Sequence, residues 1–283
     1  MNIDEHIRQL IAMSLAEDIG NGDHSSLSCI DAGAQGEMKL LVKQDGILCG
    51  VDVAAEIARQ VDARITMERF MDDGAQIKKG DIVFILRGPA QKMLTAERTI
   101  LNYMQRMSGI ATTTHAYVEM VKGTGVTLLD TRKTTPNMRY FEKYAVKTGG
   151  AENHRIGLFD MIMLKDNHID FAGSIKKAID LANNYLQTHH MDLKIEVETR
   201  SLEDVRRVME HGGVHRIMFD NFTPEMIKEG VKMVNHKYET EASGGITDET
   251  LCDYAATGVD FISVGAFTHH ISSLDLSLKT IIL

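Results

Sequence analysis

Between Asp130 and His168 the chain reads DTRKTTPNMRYFEKYAVKTGGAENHRIGLFDMIMLKDNH, a stretch that holds Arg132, Lys133, Arg139, Lys143, Lys147, His154, Arg155, Lys165 and His168. The whole chain carries a net charge of -9, so cations gathered against that background predict a bound anion. Arg132 and Lys165 each lie just past a short apolar run that reads as a strand. That is where an α/β barrel keeps its active site.

Carboxylates mark two further strand ends. Glu198 and Asp220 close the runs KIEVE and RIMFD and are expected to project side by side. Paired carboxylates near a phosphate site suit Mg²⁺, held directly or through water. General acid/base work and a salt bridge to Lys165 are the competing readings. Ser243-Gly244-Gly245 and Gly265-Ala266 follow the last two strand runs, where glycine lets backbone N–H groups approach a phosphate with a helix N-terminus behind them. His115, His189, His190, His211, His215, His236, His269 and His270 show no HExxH or comparable ligand spacing and read as surface or loop residues.

Elements of two kinds must position these groups. Residues 3–17 have helical spacing, with Ile3, Ile7, Leu10, Ile11 and Leu15 on one face. Alternating runs at 38–42, 63–70 and 81–88, punctuated by Gly46, Gly50, Gly74 and Gly80, predict strands joined by tight turns, with a helix at about 51–62 among them. A small α+β domain ending near residue 90 follows from this. A helix with its start signal at Thr95 and Glu97, running to about Met107, leads out of it. From about residue 110 strand-like runs at 126–130, 161–165, 193–198, 216–220, 238–242 and 261–265 alternate with amphipathic stretches such as 174–186 and 202–212. Such alternation implies parallel strands with right-handed crossovers. No GxGxxG follows the first of these strands, which favours a β/α barrel over a dinucleotide-binding fold. Each strand ends in a residue poorly suited to a core: Asp130 with Arg132 and Lys133, Lys165 with Asp166, Glu196 with Glu198, Asp220 with Asn221, Glu241 with Ser243, then Gly265. Six such ends in register predict one shared face.

Composition narrows the function. At 283 residues with 43% hydrophobic and 25% charged residues the chain can bury a full core. Its acidity argues against nucleic-acid or membrane-surface binding. Cys29, Cys49 and Cys252 are odd in number and form no CxxC, which predicts neither a disulfide framework nor a cysteine metal site and suits a reducing cytoplasm. The N-terminus has no signal-peptide core, and no apolar run approaches the ~20 residues of a membrane span.

The chain resembles the quinolinate phosphoribosyltransferases, also called nicotinate-nucleotide pyrophosphorylases (carboxylating), of NAD biosynthesis. The likeness rests on EDIGNGDHS at 17–25, AERTILNYMQRMSGIAT at 96–112, DTRKTTP at 130–136, NHR…KDNH at 153–168, EVE at 196–198, DNF at 220–222, EASGGI at 241–246 and ISVGAFTH at 262–269. It implies transfer of phosphoribosyl from phosphoribosyl pyrophosphate to quinolinate with decarboxylation, using Mg²⁺. It implies an N-terminal α+β sandwich over 1–108, joined by the tail 270–283, and an incomplete, seven-stranded α/β barrel over 109–269. Arg132, His154, Arg155 and Lys165 would grip the carboxylates of quinolinate, with Arg98 reaching in from the partner of a homodimer that could assemble further. Lys133, Glu198, Asp220, Ser243, Gly244, Gly245 and Gly265 would hold phosphoribosyl pyrophosphate and its metal, and Lys133, Lys165, Glu198 and Asp220 would carry the catalytic roles. Thr199-Arg200 and His269-His270 depart from the family pattern. A related enzyme for another pyridine carboxylate, a Lys165 imine-forming barrel and a non-catalytic anion-binding barrel are the alternatives.

Overall fold

The computed structural model describes Met1 and residues 3–281. The chain divides into two compact units. One comprises Met1–His115, Thr135–Gly150 and His270–Leu283; the other comprises Ala116–Thr134 and Ala151–His269.

The first unit is built on an antiparallel sheet. Strand Gln35–Val42 lies between strand Ile82–Pro89 and the C-terminal strand Leu276–Thr280, and Thr66–Arg69 pairs with the far side of Ile82–Pro89. Alternation along Gln35–Val42 buries Met38, Leu40 and Val42, as a period of two requires of a sheet with one inner face. Leu40, Val83, Phe84 and Leu86 are fully buried, each contributing about 1.5–3 kcal/mol by leaving water. Helix Glu5–Ile19 buries Ile7, Leu10, Ile11 and Leu15, four of the five residues expected on its apolar face. Helix Val51–Val61 starts where Asp73 Oδ1 accepts the N–H groups of Gly50 and Val51 at 2.8 and 2.9 Å, two donors that otherwise lack a partner.

The helix expected over about 95–107 is longer at both ends, Ala90–Met120. Thr95 is no cap. Its hydroxyl donates to Gln91 O one turn back, a bond that lets a threonine sit inside a helix. The second helix of note, Arg139–Thr148, comes from a stretch read in sequence as part of the barrel. Glu142 on it is fully buried and binds Arg106 at 2.6 Å, while its other oxygen accepts the Thr135 amide at 3.1 Å. Of the tail read as 270–283, residues 276–280 form the strand described above, and residues 282 and 283 lie outside the described ones.

The second unit is an α/β fold around one parallel sheet. Its six strands run in the order Thr127–Leu129, Phe261–Ser263, Glu239–Ser243, Arg216–Asp220, Ile195–Thr199, Ile162–Leu164. An isolated parallel bridge from Leu129 to Glu152 extends the first of these. Crossover helices Ile175–Thr188, Leu202–His211 and Pro224–Val234 each open on a hydroxyl cap: Ser174, Ser201 and Thr223 accept the N–H of Lys177, Asp204 and Met226. One face of the sheet is apolar, burying Ile195, Val197, Ile217, Phe219, Ala242 and Ile262. The other face carries the chemistry. Among the described residues no helix is long and apolar enough to cross a membrane.

Candidate active site

Register brings the second face together. Glu198 lies opposite Met218, Met218 opposite Glu241, and Asp220 opposite Ser243, so alternate residues of three strands share one side. With Met163, Lys165 and Ser263 they line a cavity of about 400 Å³, completed by Thr131, Arg132, Lys133, His154, Arg155, Asn221, Gly244 and Gly245. Of the residues expected to bind or react, ten line it: Arg132, Lys133, His154, Arg155, Lys165, Glu198, Asp220, Ser243, Gly244 and Gly245. Gly265 is not among the lining residues but stands beside them. A Cβ there would come 2.8 Å from His269 Nε2 and 3.5 Å from Lys133 Cδ, so glycine allows both side chains to close on that turn. Arg98 belongs to the first unit, exposed on the long helix beside a hollow that Asp18, Asp23, His24 and Thr95 also line.

The dense run of cations divides between the two units. Arg132, Lys133, His154, Arg155 and Lys165 line the cavity, whereas Arg139, Lys143 and Lys147 lie on the helix Arg139–Thr148 of the first unit. His168 accepts the Lys165 amide at 3.0 Å and acts as a helix cap. Asp130, expected at the mouth, is fully buried. Its carboxylate accepts Asn153 Nδ2 at 2.6 Å and the His154 amide at 2.9 Å, which fixes the segment carrying His154 and Arg155.

Electrostatics separates two walls. On one, burial and then the charge of Arg132 hold the Arg155 guanidinium below the usual arginine range, so the two cations press on each other. Arg155 Nη1 donates to Met161 O at 3.2 Å, which aims the side chain. Opposite, burial and then the charge of Asp220 raise Glu198, while Lys165 Nζ stands 3.7 Å from its Oε2. Asn221, in a left-handed conformation at φ 57, donates to Asp220 at 2.7 Å, and its amide N–H donates to Ser243 O at 2.8 Å. Gly244 has φ +97, and a Cβ there would lie 2.9 Å from Asn221 N; only glycine fits. The turn thus presents backbone to the cavity as expected, but without a helix dipole behind it. The helix after Gly245 starts only at Leu251 and has 5 residues, and the one after Gly265 has 4.

Beneath this floor lies a charged layer. His154, only 7% exposed, places Nε2 3.0 Å from Glu196 Oε2 and 3.4 Å from Glu241 Oε2. Arg216 Nη1 binds Glu241 at 2.7 Å, its other nitrogens bind Glu239, and the guanidinium stacks 4.0 Å from the centre of the Phe261 ring. Burial, and then the charge of Glu241, push Glu196 up to about 7. Burial also acts to raise Glu241, but its contacts with His154 and Arg216 outweigh this and hold it below the usual range. His154 Nδ1 accepts the Arg155 amide at 2.7 Å, a bond that needs a bare Nδ1 and leaves the ring proton on Nε2, toward the carboxylates. Burial opposes a second ring proton and the two carboxylates favour one, which pushes the ring up to about 9; the Arg155 amide, directed at Nδ1 at 2.7 Å, keeps that proton off Nδ1. Among the described residues this trio is the one group of three side chains whose ligand atoms come within 4.8 Å, and it differs from the expected metal pair Glu198 and Asp220.

Sequence reasoning named Asn221 beside Asp220 at a strand end but did not single out Thr131, Met163, Met218 or Ser263. Stepping back two residues from Lys165, Asp220 and Gly265 reaches Met163, Met218 and Ser263, so the strand period held that signal. A larger hollow of about 720 Å³, lined by Asp170, Lys176, Arg200, Asp204 and Arg207 among others, lies elsewhere on the same unit. There Arg200 pairs with Asp170 at 3.1 Å and Arg207 with Asp204 at 3.6 Å, which leaves little demand for an anion.

The family model for the quinolinate phosphoribosyl transferase C-terminal domain matches residues 110–279, and that for its N-terminal domain matches residues 23–108. Quinolinate phosphoribosyltransferase [decarboxylating] 1b of Nicotiana tabacum is 40% identical over 96% of this chain and 82% of its own length. A probable nicotinate-nucleotide pyrophosphorylase [carboxylating] of Bacillus subtilis is 40% identical over 96% of this chain and 92% of its own. The crystal structure of NadC from Streptococcus pyogenes superposes with a TM-score of 0.93 at 36% identity, covering 100% of this chain and 99% of that one. The nicotinate-nucleotide pyrophosphorylase of Francisella tularensis gives 0.92 at 39% identity, with 98% and 96% covered. With the two domain models matching residues 23–108 and 110–279, the chain belongs to the quinolinate phosphoribosyltransferase family.

Proposed function

We propose that this chain transfers the phosphoribosyl group of phosphoribosyl pyrophosphate to quinolinate, with loss of CO₂, to give nicotinate mononucleotide and pyrophosphate for NAD biosynthesis. The observation that carries this reading is the pair Arg132 and Arg155, two guanidinium groups whose mutual repulsion a dicarboxylate would relieve. Lys165 and the His154 edge add to that wall and set the ring plane. Lys133 and the Ser243-Gly244-Gly245 turn suit the phosphate groups on the other side.

The pyridine nitrogen lone pair attacks ribose C1 while the bond from C1 to pyrophosphate oxygen breaks. Lys133 stabilises the departing charge. In the adduct the carbon–carboxylate bond breaks, the electron pair stays on the ring carbon beside the cationic nitrogen, and a proton from water replaces CO₂. No protein nucleophile is needed. Lys165, half-exposed with Glu198 3.7 Å away, sits as a fixed cation rather than as a desolvated, imine-forming amine. Glu198 and Asp220 fit a Mg²⁺ ion, since burial and the Asp220 charge make an ionised Glu198 costly until a cation joins them. Bound there, Mg²⁺ would supply charge neutralisation for pyrophosphate oxygens.

The finer architecture in this reading is an incomplete, seven-stranded barrel over 109–269, with the bridge at Glu152 as the seventh position, and a sandwich domain over 1–108 joined by the tail. The protein works as a homodimer in which Arg98 enters the partner's site. Three free cysteines suit a reducing cytoplasm. Incubation with quinolinate, phosphoribosyl pyrophosphate and Mg²⁺ should release CO₂ and nicotinate mononucleotide in equal amounts; no CO₂ release would defeat the reading. Mixing inactive Arg98→Ala and Arg132→Ala chains should restore part of the activity, and no recovery would count against a shared site.

A further inference from the structure

Glu196, Arg216 and Glu241, the part of the charged layer that has no role in the transfer chemistry above, are costly to bury. Glu196 and Glu241 are both fully buried and Arg216 is only 7% exposed. Ionised groups in such a setting cost several kcal/mol each unless their partners are well placed. An apolar layer would fill the same space at less cost, as it does in most barrels of this kind. The layer is also ordered. Arg216 clamps Glu239 and Glu241 from the N-terminal ends of the strands, and Glu241 meets His154, whose Nδ1 takes the Arg155 amide. From above, Asp130 holds the His154 amide. The segment that delivers Arg155 is thus held by buried carboxylates on both sides, Asp130 at the His154 amide and Glu196 and Glu241 at the ring; Glu241 lines the cavity floor, but its carboxylate binds Arg216.

We infer that Glu241, braced by Arg216, is a positioning residue that fixes the His154 ring and, through the amide of Arg155, sets where the dicarboxylate-binding guanidinium stands. This deepens the proposed function and rests on it for the identity of the ligand. The trio His154, Glu196 and Glu241 has the donor types of a metal site, but Arg216 sits 2.7 Å from Glu241 and supplies the positive charge that a cation would.

Glu241→Leu keeps the volume and removes the carboxylate, whereas Glu241→Gln keeps an acceptor for Nε2–H. In calorimetric titration with quinolinate, Glu241→Leu should lose about ten- to a hundred-fold in affinity, the loss expected when a bound group is displaced by about an ångström. Its KM for quinolinate should rise accordingly, with little change in the KM for phosphoribosyl pyrophosphate, and Glu241→Gln should recover most of the loss. Circular dichroism and thermal melting establish that each variant is folded. Unchanged quinolinate affinity in folded Glu241→Leu would overturn the inference, as would equal damage to both KM values or a Gln variant as poor as Leu. Stoichiometric binding of Zn²⁺ or Mn²⁺ that Glu241→Gln abolishes would also overturn it, in favour of a metal site. Ring ¹⁵N spectra, with His154 assigned by its loss in His154→Gln, test the brace without ligand. The His154 signals should move in Glu241→Leu, and unmoved signals overturn the brace. Wild type that binds no quinolinate, with His154 signals still sensitive to residue 241, would defeat the proposed function and leave the brace standing.

Discussion

The two sheets solve opposite problems. In the first unit, alternate positions of Gln35–Val42 bury Met38, Leu40 and Val42, and Ile82–Pro89 buries Val83, Phe84 and Leu86, all apolar. In the second unit the apolar face of the sheet is turned to the helices, while the other face carries Glu196, Glu198, Arg216, Asp220, Glu239 and Glu241. Each buried side chain of the first sheet adds stability on its own. Each buried charge of the second costs stability unless its neighbours are in place. The comparison teaches where selection for folding ends and selection for chemistry begins within one chain.

Substitutions can break that contrast. Arg155→Ala should lower kcat/KM for quinolinate by about 10³-fold, comparable to removing a principal charge-stabilising group, while leaving the melting temperature close to that of wild type. A large loss of stability instead would mean that the guanidinium belongs to the core. Phe84→Ala should do the reverse. Denaturant titration should show a loss of about 3–5 kcal/mol, with the KM for quinolinate unchanged in the protein that remains folded. The smallest effect belongs to the rim of the first unit. Hydrogen bonds from Arg59 first, then from Gln60, outweigh partial burial and lower the Glu56 carboxyl below its ordinary range. A depressed carboxylate stabilises the fold above its unfolded pKa, and that contribution is lost as pH falls through the lower folded value. Arg59 is 57% exposed, so solvent screens the pair. Glu56→Gln should cost at most about 1 kcal/mol at neutral pH, and melting curves of variant and wild type should converge as pH falls through the acid range.

Much of this was legible in the sequence, for physical reasons. All six parallel strands lie at the short runs read as strands in sequence, and the ends of the third and fourth runs put Glu198 and Asp220 side by side before any coordinates. Other features were not. The run from Arg139 to Lys147 is amphipathic, which says that the helix needs a buried face but not which core supplies it. The helix Ala90–Met120 outran its signals because Thr95 satisfies its hydroxyl within the helix, and no residue near Met107 stops the turn. The charged layer was hidden most completely. Glu196, Arg216 and Glu241 announce charge, and only the fold reveals that their partners are one another.

Pairing of Leu276–Thr280 with Gln35–Val42 joins Lys39 to Lys279 across nearly the whole chain. During synthesis on the ribosome, one side of the first sheet must wait until residues 276–280 emerge before its neighbour is available. Until then Gln35–Val42 offers bare amides and carbonyls to any passing strand, and the arrival of Leu276–Thr280 is the moment that hazard ends.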